Sequence, residues 1–280
     1  MQKPYVRTTQ KYAGLDLTVP QNEEFITGET KKAITDDQLK KMMAENKPSF
    51  FLKHKFHIVT LALIALNVIV YLIEVYNSGL KVSITNQVLV DMGAMYTPYV
   101  RSAADLYRFI TPMFLHVDLM HIAFNMVALY SVGGMLEHVL GKRNFLLLYF
   151  IGGITGNVIS YLADVYISTT ITISAGASTS VFALFVAAAL LGVLHKGNNR
   201  YFAQFSKGML SIIAINIFYT FLVPSISISG HLGGAFGGLI AMFMIPSKNL
   251  KVSTAVRILV AAAWVGALVY FVFHERFFIF

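Results

Sequence analysis

The chain has 280 residues, of which 56% are hydrophobic and only 13% are charged, and its mean hydropathy is +0.64. In an ordinary soluble domain about a quarter of the residues are charged, so this composition excludes such a domain. Cysteine is absent, which excludes disulfide and thiolate chemistry. The formal net charge of +8 is unevenly distributed along the chain.

Residues 1–55 are polar and of mixed charge, and we predict a cytoplasmic N-terminal segment that is partly flexible. A regulatory or partner-binding tail is one interpretation, and a solvated terminus without a specific role is the favoured one. The first apolar run begins only near Phe56, so we expect no cleaved signal peptide.

Seven apolar segments follow, each with the composition of a membrane-spanning helix. They lie at residues 56–76, 117–138, 144–165, 178–195, 207–223, 231–245 and 254–273. No alternating barrel pattern occurs, so we predict an all-α membrane protein, a polytopic helical bundle.

The basic residues indicate how the bundle is oriented. Ten Lys and Arg residues precede the first segment. Two, three and three lie in the second, fourth and sixth connections or in the first four residues of the segments that follow them, whereas only four lie elsewhere. Because basic residues concentrate on the cytoplasmic side, we predict a cytoplasmic N-terminus and, with seven spans, an external C-terminus in the cell membrane. Topology and lipid headgroups thus explain the charge, and we expect no nucleic-acid binding.

Polar residues stand at the predicted outer ends of three segments, where they are costly and indicate function. His121 and Asn125 are four residues apart, so they share a helix face, and both can donate hydrogen bonds. His116 lies off that face. The alternative is that these side chains only hydrogen-bond a loop or a neighbouring helix, and for His116 we favour this alternative.

The fourth and sixth segments each begin with a residue that could carry chemistry. Ser178 follows Gly176 where the unpaired N–H groups of a helix start suit a developing oxyanion. Taken alone, helix capping is the commoner role for such a serine, and Thr179 and Ser180 offer adjacent hydroxyls. His231 opens the sixth segment.

Glycine recurs every four residues along the sixth segment, at Gly230, Gly234 and Gly238, so one helix face is bare backbone. Such a face permits close helix contact, and a packing motif with an incidental histidine is the alternative. We predict that it brings Ser178 within reach of His231. Both segments span only about 22–25 Å at 1.5 Å per residue, so their outer ends should lie below the membrane surface, beside a water-filled cavity.

These motifs, in this order, resemble the rhomboid intramembrane serine proteases over most of residues 56–246. The matching stretches are Tyr107-Arg108-Phe109, His116 to Asn125, Gly133 to Glu137, Gly176-Ala177-Ser178 and His231 to Gly238. The resemblance implies a rhomboid-like six-helix catalytic core at residues 56–246. Residues 247–280 would then add a linker, a seventh transmembrane helix and a short external tail.

The resemblance also implies an activity, that of a serine endopeptidase cleaving single-pass transmembrane proteins within or near the outer leaflet. Ser178 would be the nucleophile and His231 the general base and acid, without cofactor or metal. His121, Asn125 and the backbone N–H of Ser178 would form the oxyanion hole. The substrate would lie beside residues 167–173 and 223–229, and the second of these stretches is the candidate lid.

Several further residues would be structural around the site, namely Gly176, Gly234, Gly238, Arg108, Glu137 and Phe182. Asp118 is the nearest candidate for a third catalytic member and is not favoured. Two positions depart from the family's usual pattern: Thr179 stands in place of a glycine, and Phe182 in place of a tyrosine that packs on the histidine. A phenyl ring can still stack there, but it cannot hydrogen-bond.

Other classes of protein remain as alternatives. A catalytically inactive scaffold, or pseudoprotease, would bind transmembrane helices through the same glycine-rich groove. A metal site would use His116, His121 and His231, but the His-Glu-x-x-His motif is missing. A transporter is disfavoured because midplane charge pairs and broken half-helices are missing. The expected partners are transmembrane substrates and the lipid bilayer, and the oligomeric state is left open.

Overall fold

The computed structural model describes residues 57–168, 171–194, 227–247 and 251–274, together with Gly208 and Ser211. The predictions for residues 1–55, for most of the fifth apolar segment at 207–223 and for the end of the C-terminal tail lie outside these residues.

The described residues are helical, and within them the only β-type pairing is two isolated bridges. The α-helices are α1 (Ile58–Asn77), α2 (Asn86–Asp91), α3 (Leu119–Leu140), α4 (Lys142–Tyr166), α5 (Ser178–Leu194), α6 (Ile228–Met244) and α7 (Thr254–His274). All but the short α2 correspond to predicted apolar segments, with ends within about three residues. The all-α class is confirmed, whereas the count of seven spans stays a prediction.

Among the described residues, four helices, α1, α3, α4 and α7, are long and apolar enough to cross a membrane. Helices α5 and α6 are apolar but have only 17 residues each. At 1.5 Å per residue each covers about 25 Å, less than the ~30 Å hydrocarbon core. The chain is therefore a multi-pass membrane protein in which the two helices carrying Ser178 and His231 are the short ones.

Side-chain caps explain where α3 and α6 begin. The Asp118 carboxylate accepts the N–H of His121 at 2.8 Å, so α3 begins directly after Asp118. The Ser227 hydroxyl accepts the N–H of Gly230 at 3.0 Å, so α6 begins at Ile228. The expectation that His231 opens its helix is therefore wrong, because the Ser227 cap starts the helix three residues earlier, at Ile228.

A buried carboxylate from α3 caps the other end of the bundle. Glu137 accepts the backbone N–H groups of Val59 and Thr60 at 3.0 and 2.8 Å, and the Thr60 hydroxyl at 2.9 Å. These donors belong to the first turn of α1, where a helix presents unpaired N–H groups and positive potential. Glu137 thus ties α1 to α3, and it lies sixteen residues, roughly 24 Å along α3, from His121.

Helices α4, α5 and α6 pack on one another, α1 packs on α3, and α7 packs on α6. The single tryptophan fixes α7 to α4, because the Trp264 indole N–H donates to the Thr155 hydroxyl at 3.0 Å. Near the other end of α7, Phe271 makes edge-to-face contacts with Phe109 and Tyr161. Helix α7 is therefore fixed to the rest of the bundle at two positions along its length.

The long connection between α1 and α3 is packed rather than open. It contains α2 and three short 3₁₀ turns, and Met95, Val100 and Met113 are fully buried. The Arg108 guanidinium, itself buried, donates to the carbonyls of Val90 and Ala94 at 2.9 Å each. Arg108 therefore holds this connection in one conformation, and the connection in turn positions the loop before α5.

Candidate active site

The loop that delivers Ser178 is held by the connection between α1 and α3. Met95 and Ser174 exchange two backbone hydrogen bonds, at 2.9 and 2.8 Å, and the Gly176 N–H donates to the Pro112 carbonyl at 2.8 Å. Gly176 has a φ of +139°, in the region that favours glycine. The backbone is thus fixed on both sides of the turn that precedes Ser178.

Of the three adjacent hydroxyl residues at the start of α5, only Ser178 is partly exposed. Thr179 and Ser180 are 4% and 0% exposed, because Thr179 packs between α4 and α6 and Ser180 faces Gly153. The sequence alone does not distinguish the three hydroxyls as nucleophiles, but the structure shows that they differ in accessibility. Ser178 is also the first residue of its helix, beside the unpaired backbone N–H groups.

His231 lies in the first turn of α6 and is 9% exposed. Its ring stacks on Phe182, with centroids 4.2 Å apart and planes 20° from parallel. Phe182 is four residues after Ser178 and so shares its face of α5. The imidazole therefore lies against the same helix face that carries the Ser178 hydroxyl, and a phenyl ring serves as its platform.

The glycine face of α6 lies directly on α5. A Cβ added at Gly234 would lie 2.1 Å from the Thr179 carbonyl oxygen, and one at Gly238 would lie 2.5 Å from that of Ala183. Such distances leave no room for a methyl group, so the backbones touch as the four-residue spacing predicts. At the outer end, Gly230 packs against the Ser227 and Thr179 side chains.

A second glycine row on α6, not predicted from the sequence, packs on α4. A Cβ at Gly233 would lie 3.0 Å from the Gly156 Cα, and one at Gly237 would lie 2.9 Å from the Gly152 Cα. Consecutive pairs of glycines, as in Gly233-Gly234, are the sequence signal for two bare faces on one helix. Helix α6 is therefore clamped between α4 and α5, which fixes the position of His231.

The His121 ring and the Ser178 hydroxyl both lie close to the position that a Gly176 side chain would occupy. An ideal Cβ built on Gly176 would lie 2.7 Å from His121 Cε1, 2.9 Å from His121 Nε2 and 3.4 Å from Ser178 Oγ. Asn125 is buried one turn further along α3, and one of its two amide N–H groups bonds the His121 carbonyl at 3.0 Å. The other N–H remains available in principle to an incoming oxygen.

His116 and Asp118 have places that differ from those of the catalytic candidates. His116 is fully buried, and its ring meets that of His121 edge to face, with centroids 5.3 Å apart. Burial lowers the pKa of His116 to about 3, so its ring is neutral at pH 7. Asp118 uses its carboxylate to cap α3, which explains its position without a catalytic role. Arg108 and Glu137 stand apart from the centre, in the structural contacts described above.

Within the described part of the chain, no group of three or more His, Asp or Glu side chains is arranged to hold a metal ion. The structure instead brings together Ser178, His121, Phe182 and His231 around Gly176 and the glycine face of α6. This is the class of a polytopic helical membrane protein with a serine and a histidine on adjacent short helices.

The comparison with known proteins agrees with this class. A family model described as the Rhomboid domain matches residues 103–248, just over half of the chain, and the chain belongs to the rhomboid family. The rhomboid protease GluP of Bacillus subtilis is 34% identical over 182 residues, which cover 65% of this chain and 34% of GluP. The chain thus spans about a third of the length of GluP.

Two other relatives are matched over more of their own length. The putative rhomboid protease YdcA of Bacillus subtilis is 32% identical over 145 residues, which cover 51% of this chain and 69% of YdcA. The rhomboid protease AarA of Providencia stuartii is 27% identical over 256 residues, which cover 81% of this chain and 89% of AarA.

Proposed function

We propose that the protein is an intramembrane serine endopeptidase that cleaves single-pass transmembrane proteins with Ser178 as nucleophile and His231 as its general base and acid. The observation that carries the proposal is the partly exposed Ser178 at a helix start, close to the His121 ring and on the same face of α5 as Phe182, on which His231 stacks. Family membership and relatives named as proteases support the same activity.

Catalysis would proceed through two acyl-transfer steps. His231 takes the proton from Ser178 as Oγ attacks the scissile carbonyl, and the same imidazole then protonates the leaving amine. Water, deprotonated by His231, hydrolyses the acyl-enzyme and releases Ser178.

The negative charge that develops on the carbonyl oxygen would be stabilised by three groups, His121, Asn125 and the backbone N–H of Ser178. Preorganised donors of this kind each contribute about 3–4 kcal/mol to transition-state stabilisation in other acyl-transfer enzymes. Because α5 and α6 are short, the site would lie below the membrane surface, and the distribution of basic residues supports a position toward the external face, in or near the outer leaflet. A substrate helix must unwind there, because its carbonyls are otherwise hidden in intrahelical hydrogen bonds.

The proposal is tested by treating the detergent-purified protein with a fluorophosphonate and locating the adduct by mass spectrometry. We expect one adduct, on Ser178, because Thr179 and Ser180 are buried beside it. An adduct on either neighbour would contradict the assignment of the nucleophile. A folded protein that stays unlabelled but binds transmembrane helices would instead be a pseudoprotease scaffold.

The oxyanion hole yields a separate prediction. Asn125→Ala should lower kcat about 100- to 1,000-fold with little change in KM, because the lost donor acts on the transition state. The measurement is the cleavage rate of a fluorogenic single-pass transmembrane segment in liposomes.

The matched control is Ser131→Ala, on the same helix, whose hydroxyl makes the same type of bond to a carbonyl four residues earlier. Wild-type kcat in Asn125→Ala would remove Asn125 from the oxyanion hole. An equal loss in Ser131→Ala would show that the effect comes from the helix and not from the donor.

A further inference from the structure

A buried carboxylate on α1 lies next to the site and has no place in the mechanism above. Glu74 is 0% exposed in a helix whose most apolar stretch has a mean hydropathy of 2.5. A carboxyl group in such surroundings costs free energy unless several hydrogen-bond partners surround it. Stability alone therefore does not favour a glutamate at this position.

Glu137, which is also buried, receives more hydrogen bonds than Glu74 does. Glu137 receives three hydrogen bonds, from two backbone N–H groups and one hydroxyl. The Glu74 carboxylate accepts from one donor among the described residues, the backbone N–H of His116, with Oε1 and Oε2 at 3.1 and 3.2 Å from the nitrogen. One shared donor offsets little of the free-energy cost of burying Glu74. The role of Glu74 therefore lies in positioning the backbone segment around His116, to which this hydrogen bond is made.

The bond positions the segment from which α3 starts. His116 is two residues before the Asp118 cap, and the next residue, Val117, accepts the Ile84 N–H at 2.8 Å. Both ring nitrogens of His116 are buried without a hydrogen-bond partner among the described residues, so its ring is placed by backbone and packing alone. Its backbone is held to α1 by Glu74.

The contact continues from His116 to the reacting centre. The His116 and His121 rings meet edge to face with centroids 5.3 Å apart, and Cε1 and Nε2 of His121 lie 2.7 and 2.9 Å from where a Cβ on Gly176 would be, two residues before Ser178. Each step is a direct contact in a close-packed interior, where a displacement of one ring has no void to absorb it. A shift of the His116 backbone would therefore move His121 relative to Ser178.

We propose that Glu74 is a positioning residue of the oxyanion hole, which acts through the backbone of His116 and the ring of His121. The inference rests on the proposed function, and it adds a residue on α1 to a site otherwise built from α3, α5 and α6. Glu74 does not touch the reacting atoms. It positions a hydrogen-bond donor, the His121 ring, and does not itself donate to the oxyanion.

The test is a double-mutant cycle on the rate constant for phosphonylation of Ser178 by a fluorophosphonate. In this reaction Oγ attacks phosphorus, fluoride leaves, and negative charge develops on the phosphoryl oxygen that the oxyanion hole binds. We expect Glu74→Ala to slow labelling roughly 10- to 100-fold, the scale of a small misplacement of a catalytic group. In a His121→Ala background the same change should slow labelling by no more than about twofold, because the route through His121 is already lost.

Two further variants separate positioning from folding. Glu74→Gln keeps an oxygen that accepts the His116 N–H, so it should restore most of the labelling rate. If Glu74→Ala does not fold, Glu74→Leu, which fills the buried position but accepts no hydrogen bond, takes its place in the cycle. Asn67→Ala, a comparably buried polar residue on α1 that bonds the Leu63 carbonyl, should leave the rate unchanged.

Equal slowing by the Glu74 variant with and without His121 would overturn the inference while leaving the protease proposal intact. A folded wild-type protein that is never labelled would overturn the proposed function, and this inference with it. The two failures are therefore distinguishable in the same experiment.

Discussion

Ser178→Ala is expected to reduce cleavage of single-pass transmembrane substrates roughly a millionfold, the loss seen when a serine protease loses its nucleophile. The physical reason is that no other hydroxyl can take over, since Thr179 and Ser180 are buried. The measurement is product formation from a fluorogenic transmembrane segment in liposomes, with thermal unfolding in detergent to show that the fold is intact.

Ser180→Ala is the matched control, because it makes the same substitution two residues further along α5 at a buried position. We expect it to retain wild-type cleavage and adduct formation. Substantial residual cleavage in Ser178→Ala, or its loss in Ser180→Ala alone, would move the nucleophile away from Ser178.

Gly234→Ala is expected to have the second largest effect, because it acts on stability and on catalysis together. Its new Cβ would lie 2.1 Å from the Thr179 carbonyl oxygen, and backbone cannot move aside cheaply. Overpacking of this kind costs about 1–3 kcal/mol, and separating α6 from α5 by a fraction of an ångström would slow the reaction roughly 100-fold. The measurements are the midpoint of thermal unfolding in detergent and the rate of labelling by a fluorophosphonate.

Gly266→Ala provides the control for Gly234→Ala. Gly266 lies in the interior of α7, and a Cβ there would meet nothing within 4 Å, so the same change of residue occurs without crowding. It should leave both stability and labelling rate at the wild-type level or raise stability slightly, since alanine favours helix more than glycine does. A Gly234→Ala protein with wild-type stability and rate would contradict close backbone contact as the means by which the two helices meet.

The helices and much of the site follow from local patterns in the sequence. Apolar length is a property of each segment by itself, so α1, α3, α4, α5 and α7 lie where the segments predict. The spacing of Gly230, Gly234 and Gly238 is likewise local, and it correctly indicates a helix face that another backbone touches. The predicted start of α6 is wrong because a side-chain cap, the Ser227 hydroxyl, and not the apolar pattern decides where this helix begins.

What could not be predicted depends on pairs of residues distant along the chain. Met95 pairs with Ser174, Glu137 caps α1, and Glu74 accepts a bond from a backbone N–H 42 residues away. Every residue except proline has a backbone N–H, so the sequence does not show which of them donates to a buried glutamate. The hydrogen-bond partners of Glu74 and Glu137 could therefore not be predicted. For Glu74 the only sequence signal is the cost of a carboxylate in an apolar segment.

The sequence by itself determined that this is a helical membrane protein, because hydrophobic length and the placement of basic residues are set residue by residue. It also indicated Ser178 and His231 as candidates, since each motif is complete within a few positions. The tertiary structure decided which of three neighbouring hydroxyls is accessible, where the His231 ring lies and what supports His121. Accessibility and ring placement arise from how close two helices approach, and that distance is decided by the backbone contacts of Gly234 and Gly238 and by the buried bonds around them.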